Sequence, residues 1–349
     1  MTAALGKPLT RDAFREGVIA RDGGKCVFCG SRERLDAHHI LERRLFADGG
    51  YHLDNGATVC AEHHMACEQT TISVEQVREA AGITRKVLPD HLYHDQVYDK
   101  WGNPVLANGQ RLKGELFFDE SVQKVLGQGK VLDLFTHLVK HPRTYHVPWS
   151  PGATDDDRIT RDMSRFEGRR VVATVKMDGE NTTLYTRDFH ARSVDGRHHP
   201  SRDMAKGIWS RISHEIPECW RFVVENMYAR HSIAYDDLPG YLIGLMAWNE
   251  RNVCLSHDET VEWFALLGLP TAAVLYDGVY DERAIRALHT EADDATREGY
   301  VVRVADAFPY GDFRHCVAKY VRRDHVRTVK HWMAGQPIVP NRLAEATRD

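Results

Sequence analysis

Two spaced cysteine pairs, a set of histidines and one lysine stand out for the chemistry their side chains can do. CVFCG places Cys26 and Cys29 two residues apart, and VCAEHH repeats that spacing with Cys60 and His63 about thirty residues later. Three thiolates and an imidazole in this pattern suit a closed, tetrahedral Zn²⁺ site. Buried reduced thiols alone leave the paired spacing unexplained. Between and beside the pairs lie His38 and His39 in DAHHI, Asn55 in LDNGATVC, and His64. Neutral imidazoles can take a proton near pH 7 and can hold a divalent cation. The lysine is Lys176, in VATVKMDGENTTLY. It ends a run rich in β-branched residues and precedes Asp178-Gly179, so a strand end beside a tight turn presents it to a phosphate. A solvated lysine on a surface hairpin has the same local sequence.

These residues need elements to hold them. Strand-like runs cover 170–176, 181–186, 220–226, 241–247 and 299–305, and helical spacing covers 204–216, 258–268 and 281–291. Strand runs mixed with segregated helices predict an α+β domain of antiparallel sheets with flanking helices, over 145–349. SVEQVREAAG reads as a short helix opened by a Ser73/Gln76 capping box and stopped at Gly82. Residues 8–82 read as one small module and 83–144 as a connecting segment punctuated by Gly and Pro. Within that segment, Val131, Leu134, Phe135 and Leu138 have helical spacing over 130–141. His91, His94 and His141 read as surface histidines.

The 349 residues suggest two domains, and the net charge of −4 leaves no bulk attraction to nucleic acid. A nucleic-acid site therefore has to be a local basic patch. KYVRRDHVRTVKHW, with Lys319, Arg322, Arg323, Arg327, Lys330, Tyr320 and Trp332, supplies one; a solvated amphipathic helix is the alternative. No apolar run approaches the ~18 residues a membrane span needs, and the N-terminus lacks a secretory apolar region. The expectation is a cytoplasmic protein with no membrane partner. Seven unevenly placed cysteines argue against a disulfide framework.

The order His-His, Asn, His around the cysteine pairs resembles the HNH endonuclease family, a ββα-metal fold, over roughly residues 20–70. The resemblance implies His39 as the general base that activates water. It implies His38 and His64 as ligands of a catalytic divalent cation, with Asn55 fixing the loop that orients His39. Glu68, four residues beyond His64, stands where some members carry another ligand. A module of this kind can also serve as a binding scaffold without cutting.

Lys176 is followed by four further islands in order: Arg192-Ser193, Glu225 in VVENMYARHSIAY, Glu298 in REGYVVRV, and Lys319 in CVAKYVRR. Together they resemble the covalent nucleotidyltransferase superfamily of ligases and capping enzymes, and within it the RNA ligase 2-type family, over about 145–332. The resemblance implies that Lys176 attacks the α-phosphate of ATP and becomes adenylylated, which requires a lowered lysine pKa. It implies Asp178 at the ribose or metal-bound water, Gly179 allowing close backbone approach, and Arg192 at a phosphate or polynucleotide end. Glu225 would hold ribose hydroxyls, Glu298 would serve the Mg²⁺ or Mn²⁺ shell, and Lys319 would neutralise the α-phosphate.

Three departures accompany the likeness. The aromatic that normally stacks on adenine is replaced at the aligned position by Leu245, so that an apolar clamp or Trp248 is the expected substitute. The last motif has one lysine where two are common, its neighbours being Val317 and Val321, and Arg322 is the residue that would compensate. The stretch after Arg322 is too short for an appended OB-fold, which favours RNA ligase over DNA ligase or capping enzyme. The sequence thus predicts an ATP-dependent polynucleotide ligase, RNA its leading substrate, fused to an HNH-like zinc module, with RNA repair as a setting. An HNH nuclease with a nucleotide- or nick-sensing ligase-like domain, a DNA ligase, and a binding protein with two degenerate centres are the alternatives.

Overall fold

The structure is a computed structural model that describes residues 7–154, 157–160, 163–191, 199–323 and 338–345. The chain forms two compact units, residues 1–140 and 141–349.

In the first unit, α1 (Arg11–Arg21) opens with Thr10 as N-cap, its side chain accepting from Ala13 N. Phe14 and Val18, one turn apart, are its buried face. β1 (Leu35–His39) and β2 (Gly56–Cys60) pair antiparallel, with His38 opposite Ala57 and His39 opposite Gly56. α2 (Ala61–Glu68) follows β2 without a gap. α3 (Val74–Ala80) carries the full Ser73/Gln76 capping box and buries Val74 and Val77. Residues 83–140 pack within this unit and add β3 (Val97–Tyr98), β4 (Pro104–Val105), β5 (Arg111–Lys113), α4 (Glu120–Gln128) and β6 (Phe135–Val139). The four strands form a sheet in the order β3-β4-β5-β6.

The spacing over 130–141 does not become a helix. Leu132–Leu134 makes a single 3₁₀ turn, and β6 then runs parallel to β5. A short run containing Phe, Thr and Val suits either element, and pairing with β5 decides it. Phe135 packs on Phe117, ring centroids 4.6 Å apart, which ties β6 to the small core of Trp101, Val122 and Leu126.

The second unit is built on two sheets. β7 (Tyr145–His146), β8 (Arg170–Val175), β14 (Val274–Val279), β15 (Gly299–Val304) and β17 (Val317–Val321) form one, in the order β14-β8-β15-β17-β7. The other contains β9 (Glu180–Leu184), β10 (Phe189–Ala191), β11 (Arg221–Asn226), β12 (Leu242–Trp248), β13 (Val253–Cys254) and β16 (Phe308–Pro309). Its order is β10-β9-β11-β12-β13-β16. All pairs are antiparallel except β17 with β7.

One core joins Val171 and Ala173 of β8, Tyr300 and Val302 of β15, and Val223, Met246 and Trp248 of the other sheet. A second lies under α5 (Asp203–Ile212) and α6 (His257–Leu266), around Phe222, Leu242 and Phe264. The helix expected to reach residue 291 is shorter: α7 (Glu282–Arg286) is capped by Asp281, and a separate 3₁₀ turn covers Glu291–Asp293. α8 (Phe313–Cys316) leads directly into β17. Among the described residues no helix is long and apolar enough to cross a membrane.

Candidate active sites

The cysteine cluster is assembled from two turns. Gly30 N donates to Cys26 O at 2.9 Å with Gly30 at φ +72°, a left-handed conformation that glycine adopts without strain and that closes the Cys26–Cys29 knuckle. Cys60 is the last residue of β2, and His63 lies in the first turn of α2. Cys29 Sγ and Cys60 Sγ are 3.9 Å apart, Cys26 Sγ and His63 Nδ1 3.8 Å, and Cys60 Sγ and His63 Nδ1 3.1 Å. A tetrahedron with Zn–S bonds near 2.3 Å has S–S edges of about 3.8 Å, which the Cys29–Cys60 separation matches, and the two S–N separations fall on either side of the about 3.6 Å that a Zn–N bond near 2.1 Å gives. Burial alone would raise the Cys26 thiol, but N–H groups of Cys29, Cys60 and Phe28 outweigh it and lower its pKa. None of the seven cysteines is in a disulfide.

A second set forms around α2. His38, His64 and Glu68 bring ligand atoms within 4.8 Å of one another. Glu68 Oε1 is their common point, 3.5 Å from His38 Nδ1 and 3.3 Å from His64 Nε2. The i, i+4 spacing of His64 and Glu68 puts both on one face of α2, toward the strand that carries His38. Two imidazoles and a carboxylate are a donor set for a divalent cation with open positions. Lys100, which the sequence reading passed over, is buried here, its Nζ 3.1 Å from Glu68 Oε1 and donating to His39 O at 3.0 Å.

Adjacent strand residues face opposite sides, so His39 points away from this trio. Its ring stacks on Phe14 at 4.5 Å and meets Tyr51 edge-on at 5.3 Å. Burial, then the charge of Lys100, lowers its pKa to about 4, so it is neutral at pH 7. Asn55 is fully enclosed and grips the segment between β1 and β2. Its Oδ1 accepts from Leu41 N, and its Nδ2 donates to Leu41 O and Gly50 O.

Lys176 stands just past β8, and its N donates to Gly299 O at 3.0 Å. The strands on either side of Lys176-Met177-Asp178-Gly179 do not pair as a hairpin: β8 and β9 belong to different sheets. The lysine therefore sits where the chain crosses between them. Lys176 Nζ is 2.5 Å from Glu298 Oε2, the residue before β15. Glu225, on β11, accepts from Gly179 N at 3.2 Å. A Cβ on Gly179 would come within 2.5 Å of Asn226 O, so only glycine allows this approach.

Asp178 Oδ2 accepts from Ser232 N and Ile233 N at 2.8 and 2.9 Å, and Asp178 N donates to Tyr235 Oη at 3.2 Å. One oxygen of Asp178 is thus committed to holding the 232–233 backbone, and His231 Nδ1 lies 4.0 Å from the other. Tyr235 and His231 were legible in the string HSIAY, but their distance from Lys176 in sequence gave no sign of contact.

The electrostatics around the lysine are unfavourable for a free nucleophile. Burial pushes Lys176 toward the neutral amine, but Glu298, Glu225 and Asp178 outweigh it and raise the pKa. Burial lifts Glu225 to about 7, against the pull of Lys176 and with the push of Glu298. These carboxylates together hold Lys176 toward its charged form.

Lys319 lies on β17 in register with Val301, which is in turn paired with Thr174. Thr174, Val301 and Lys319 therefore share a row and a face of the sheet, and Lys176, two residues after Thr174, continues that face. Trp248 does not serve as an adenine platform: it is fully buried, with Arg221 over its ring at 4.6 Å and Phe308, Tyr310 and Phe313 around it. Leu245 is partly buried between two cores. Arg322 is buried, its Nη1 donating to Arg323 O at 3.1 Å, so it does not stand beside Lys319 as an open phosphate donor. Arg192 and Ser193, and the tail residues Arg327, Lys330 and Trp332, lie outside the described residues.

Residues 169–321, which include Lys176, Glu225, Glu298 and Lys319, match the family model for RNA ligase. No curated protein matches the chain. Among solved structures it is similar to an archaeal ATP-dependent RNA ligase, at 17% identity over 53% of this chain and 48% of that one, TM-score 0.38. A Naegleria gruberi RNA ligase mutant with AMP and Mn gives 14% identity over 54% and 56%, TM-score 0.35. A putative ATP-dependent DNA ligase from Aquifex aeolicus gives 20% over 46% of each chain, TM-score 0.34. The chain spans about half the length of these structures.

Proposed function

We propose that the unit carrying Lys176 is an ATP-dependent RNA ligase that joins a 3′-OH to a 5′-phosphate through a lysyl-AMP intermediate. One observation carries the reading. Within the segment that matches the RNA ligase family model, Lys176 stands at the crossing between two sheets, ion-paired to Glu298 and within the field of Glu225 and Asp178.

In the first step the neutral Lys176 Nζ attacks the α-phosphorus of ATP. The N–P bond forms as the bond to the bridging oxygen breaks, and pyrophosphate leaves. Glu298, already against Nζ, is placed to receive the ammonium proton. Lys319 faces the same side of the sheet and offsets the charge growing on the α-phosphate. Glu225, held by Gly179 N, is assigned to the ribose hydroxyls. Glu298 and the outer oxygen of Asp178 offer the carboxylate donors that Mg²⁺ or Mn²⁺ takes, and such an ion supplies positive charge that favours the neutral amine and the charged phosphate. AMP then passes to the 5′-phosphate of the polynucleotide, and the 3′-OH attacks that phosphate and releases AMP.

In the N-terminal unit, Cys26, Cys29, Cys60 and His63 are assigned to Zn²⁺, and His38, His64 and Glu68 to a divalent cation. His39 is the general base of an HNH-type module that cleaves or binds nucleic acid. The convergence of His38 and His64 on Glu68 favours keeping a second reading, in which cleavage is the principal activity and the ligase-like unit senses nucleotide or nicked ends.

Incubation with [α-³²P]ATP and Mg²⁺ tests the proposal: the wild type takes covalent label and Lys176→Ala does not. Absence of label from the wild type overturns the ligase reading, and cleavage without labelling supports the second. A panel of nicked and single-stranded RNA and DNA separates RNA ligase from DNA ligase.

A further inference from the structure

Lys319 is a long, flexible side chain, and a role at the transition state requires that it be aimed before ATP arrives. Three observations describe what aims it. Lys319 Nζ lies 3.7 Å from Asp157 Oδ1, and both side chains are about one-fifth exposed. The parallel pairing of β17 with β7 sets His146 directly beside Lys319, and His146 Nε2 is 3.3 Å from the same Asp157 oxygen. The other carboxylate oxygen accepts from Thr154 N at 3.1 Å and Thr154 Oγ1 at 3.0 Å, which fixes the Asp157 rotamer.

The far side of His146 is equally constrained. Its Nδ1 is 2.8 Å from Ser150 Oγ, and that hydroxyl accepts from Val321 N at 2.9 Å and lies 3.2 Å from Val321 O. Val321 is the last residue of β17. A closed circuit therefore runs from β17 through Ser150, His146 and Asp157 and returns to β17 at Lys319. His146 is 1% exposed and Ser150 7%, so the circuit is anchored in the core and meets solvent only at the carboxylate and the ammonium.

We propose that Asp157 is a positioning residue for adenylylation, holding Lys319 in the orientation that meets the α-phosphate, with His146 and Ser150 keeping the carboxylate in register with β17. The inference rests on the ligase reading of Lys176 and Lys319. Asp157 acts through Lys319 and touches no reacting atom. Its loss leaves ATP binding to the remaining groups but lets the ammonium turn away from the charge that develops in the transition state.

The test measures single-turnover adenylylation with [α-³²P]ATP against ATP concentration for the wild type, Asp157→Asn, Asp157→Glu and Ser150→Ala. Asp157→Asn is expected to lower the rate constant at saturating ATP by ~10-fold, with half-saturating ATP changed less than about twofold. Asp157→Glu restores part of the loss, and Ser150→Ala, which keeps the carboxylate but frees its support, gives a smaller loss in the same direction. Asp157→Asn labelling at the wild-type rate overturns the inference alone, as does Asp157→Glu performing no better than Asp157→Asn. A rise in half-saturating ATP at an unchanged rate constant also overturns it, because that assigns Asp157 to binding. A wild type that takes no label overturns the ligase reading and the inference with it.

Discussion

Lys176 and Glu298 form an ion pair 2.5 Å long between residues 122 positions apart, one following β8 and the other preceding β15. The two strands are antiparallel neighbours, so the pairing that builds the sheet also brings Lys176 to Glu298. The pair favours the protonated form of the lysine.

Glu298→Gln removes the largest charge that raises Lys176. The neutral amine then appears at lower pH, and modification of Lys176 by an amine-acylating reagent, followed across pH by mass spectrometry, moves its rising limb in the acid direction. A limb that stays in place contradicts this account of the lysine.

Glu225 has a folded-state pKa raised to about 7 from an ordinary 4.5. For an acid the sign is destabilising: folding disfavours the charged form above the unfolded-state pKa, and the penalty grows between pH 4.5 and 7. It reaches at most roughly 3 kcal/mol. Glu225→Gln, which keeps an acceptor for Gly179 N, should raise the melting temperature by a few degrees at pH 8 and leave it unchanged near pH 4. An increase of equal size at both pH values points to packing rather than charge.

Asn55→Ala deletes three buried hydrogen bonds between Asn55 and the segment at Leu41 and Gly50. At ~1 kcal/mol each, the loss is about 3 kcal/mol in denaturant unfolding of the full chain. A loss under about 1 kcal/mol shows that water replaces the side chain.

The cysteine set is expected to carry one equivalent of zinc by elemental analysis, and Cys60→Ser to lose it. Chelation lowers the melting temperature of the wild type but not of Cys60→Ser. Equal metal content in both proteins removes Cys60 from the site.

His38→Ala, in the trio with His64 and Glu68, should abolish tight Mn²⁺ binding read by electron paramagnetic resonance while retaining zinc. His39→Ala should bind Mn²⁺ as the wild type does, because His39 faces Phe14 and Tyr51 rather than Glu68. Comparable Mn²⁺ loss in both variants contradicts that division of faces.

Local chemistry was legible wherever short spacing carries the signal. The paired Cys-x-x-Cys and Cys-x-x-His turns, the Ser73 capping box and the strand runs around Lys176, Glu225 and Glu298 are decided within a few residues, by turn geometry and by β-branched composition. The segment over 130–141 was misread because helical spacing over one short run competes poorly with pairing to β5. Trp248 as an adenine platform failed for a related reason: an aromatic in a strand can face either a ligand or a core, and burial under Arg221 chose the core.

By itself, the sequence determined that Lys176 follows a strand of β-branched residues, that Cys-x-x-Cys and Cys-x-x-His recur at matched spacing, and that Glu225, Glu298 and Lys319 follow in order. Only the tertiary structure decided what surrounds them. It set β8 and β9 in different sheets and paired Lys176 with Glu298. It turned Asp178 onto the backbone at Ser232 and joined Lys319 to Asp157 through strand register. Those relations link residues far apart in the chain, and their geometry comes from sheet pairing, which no local spacing encodes.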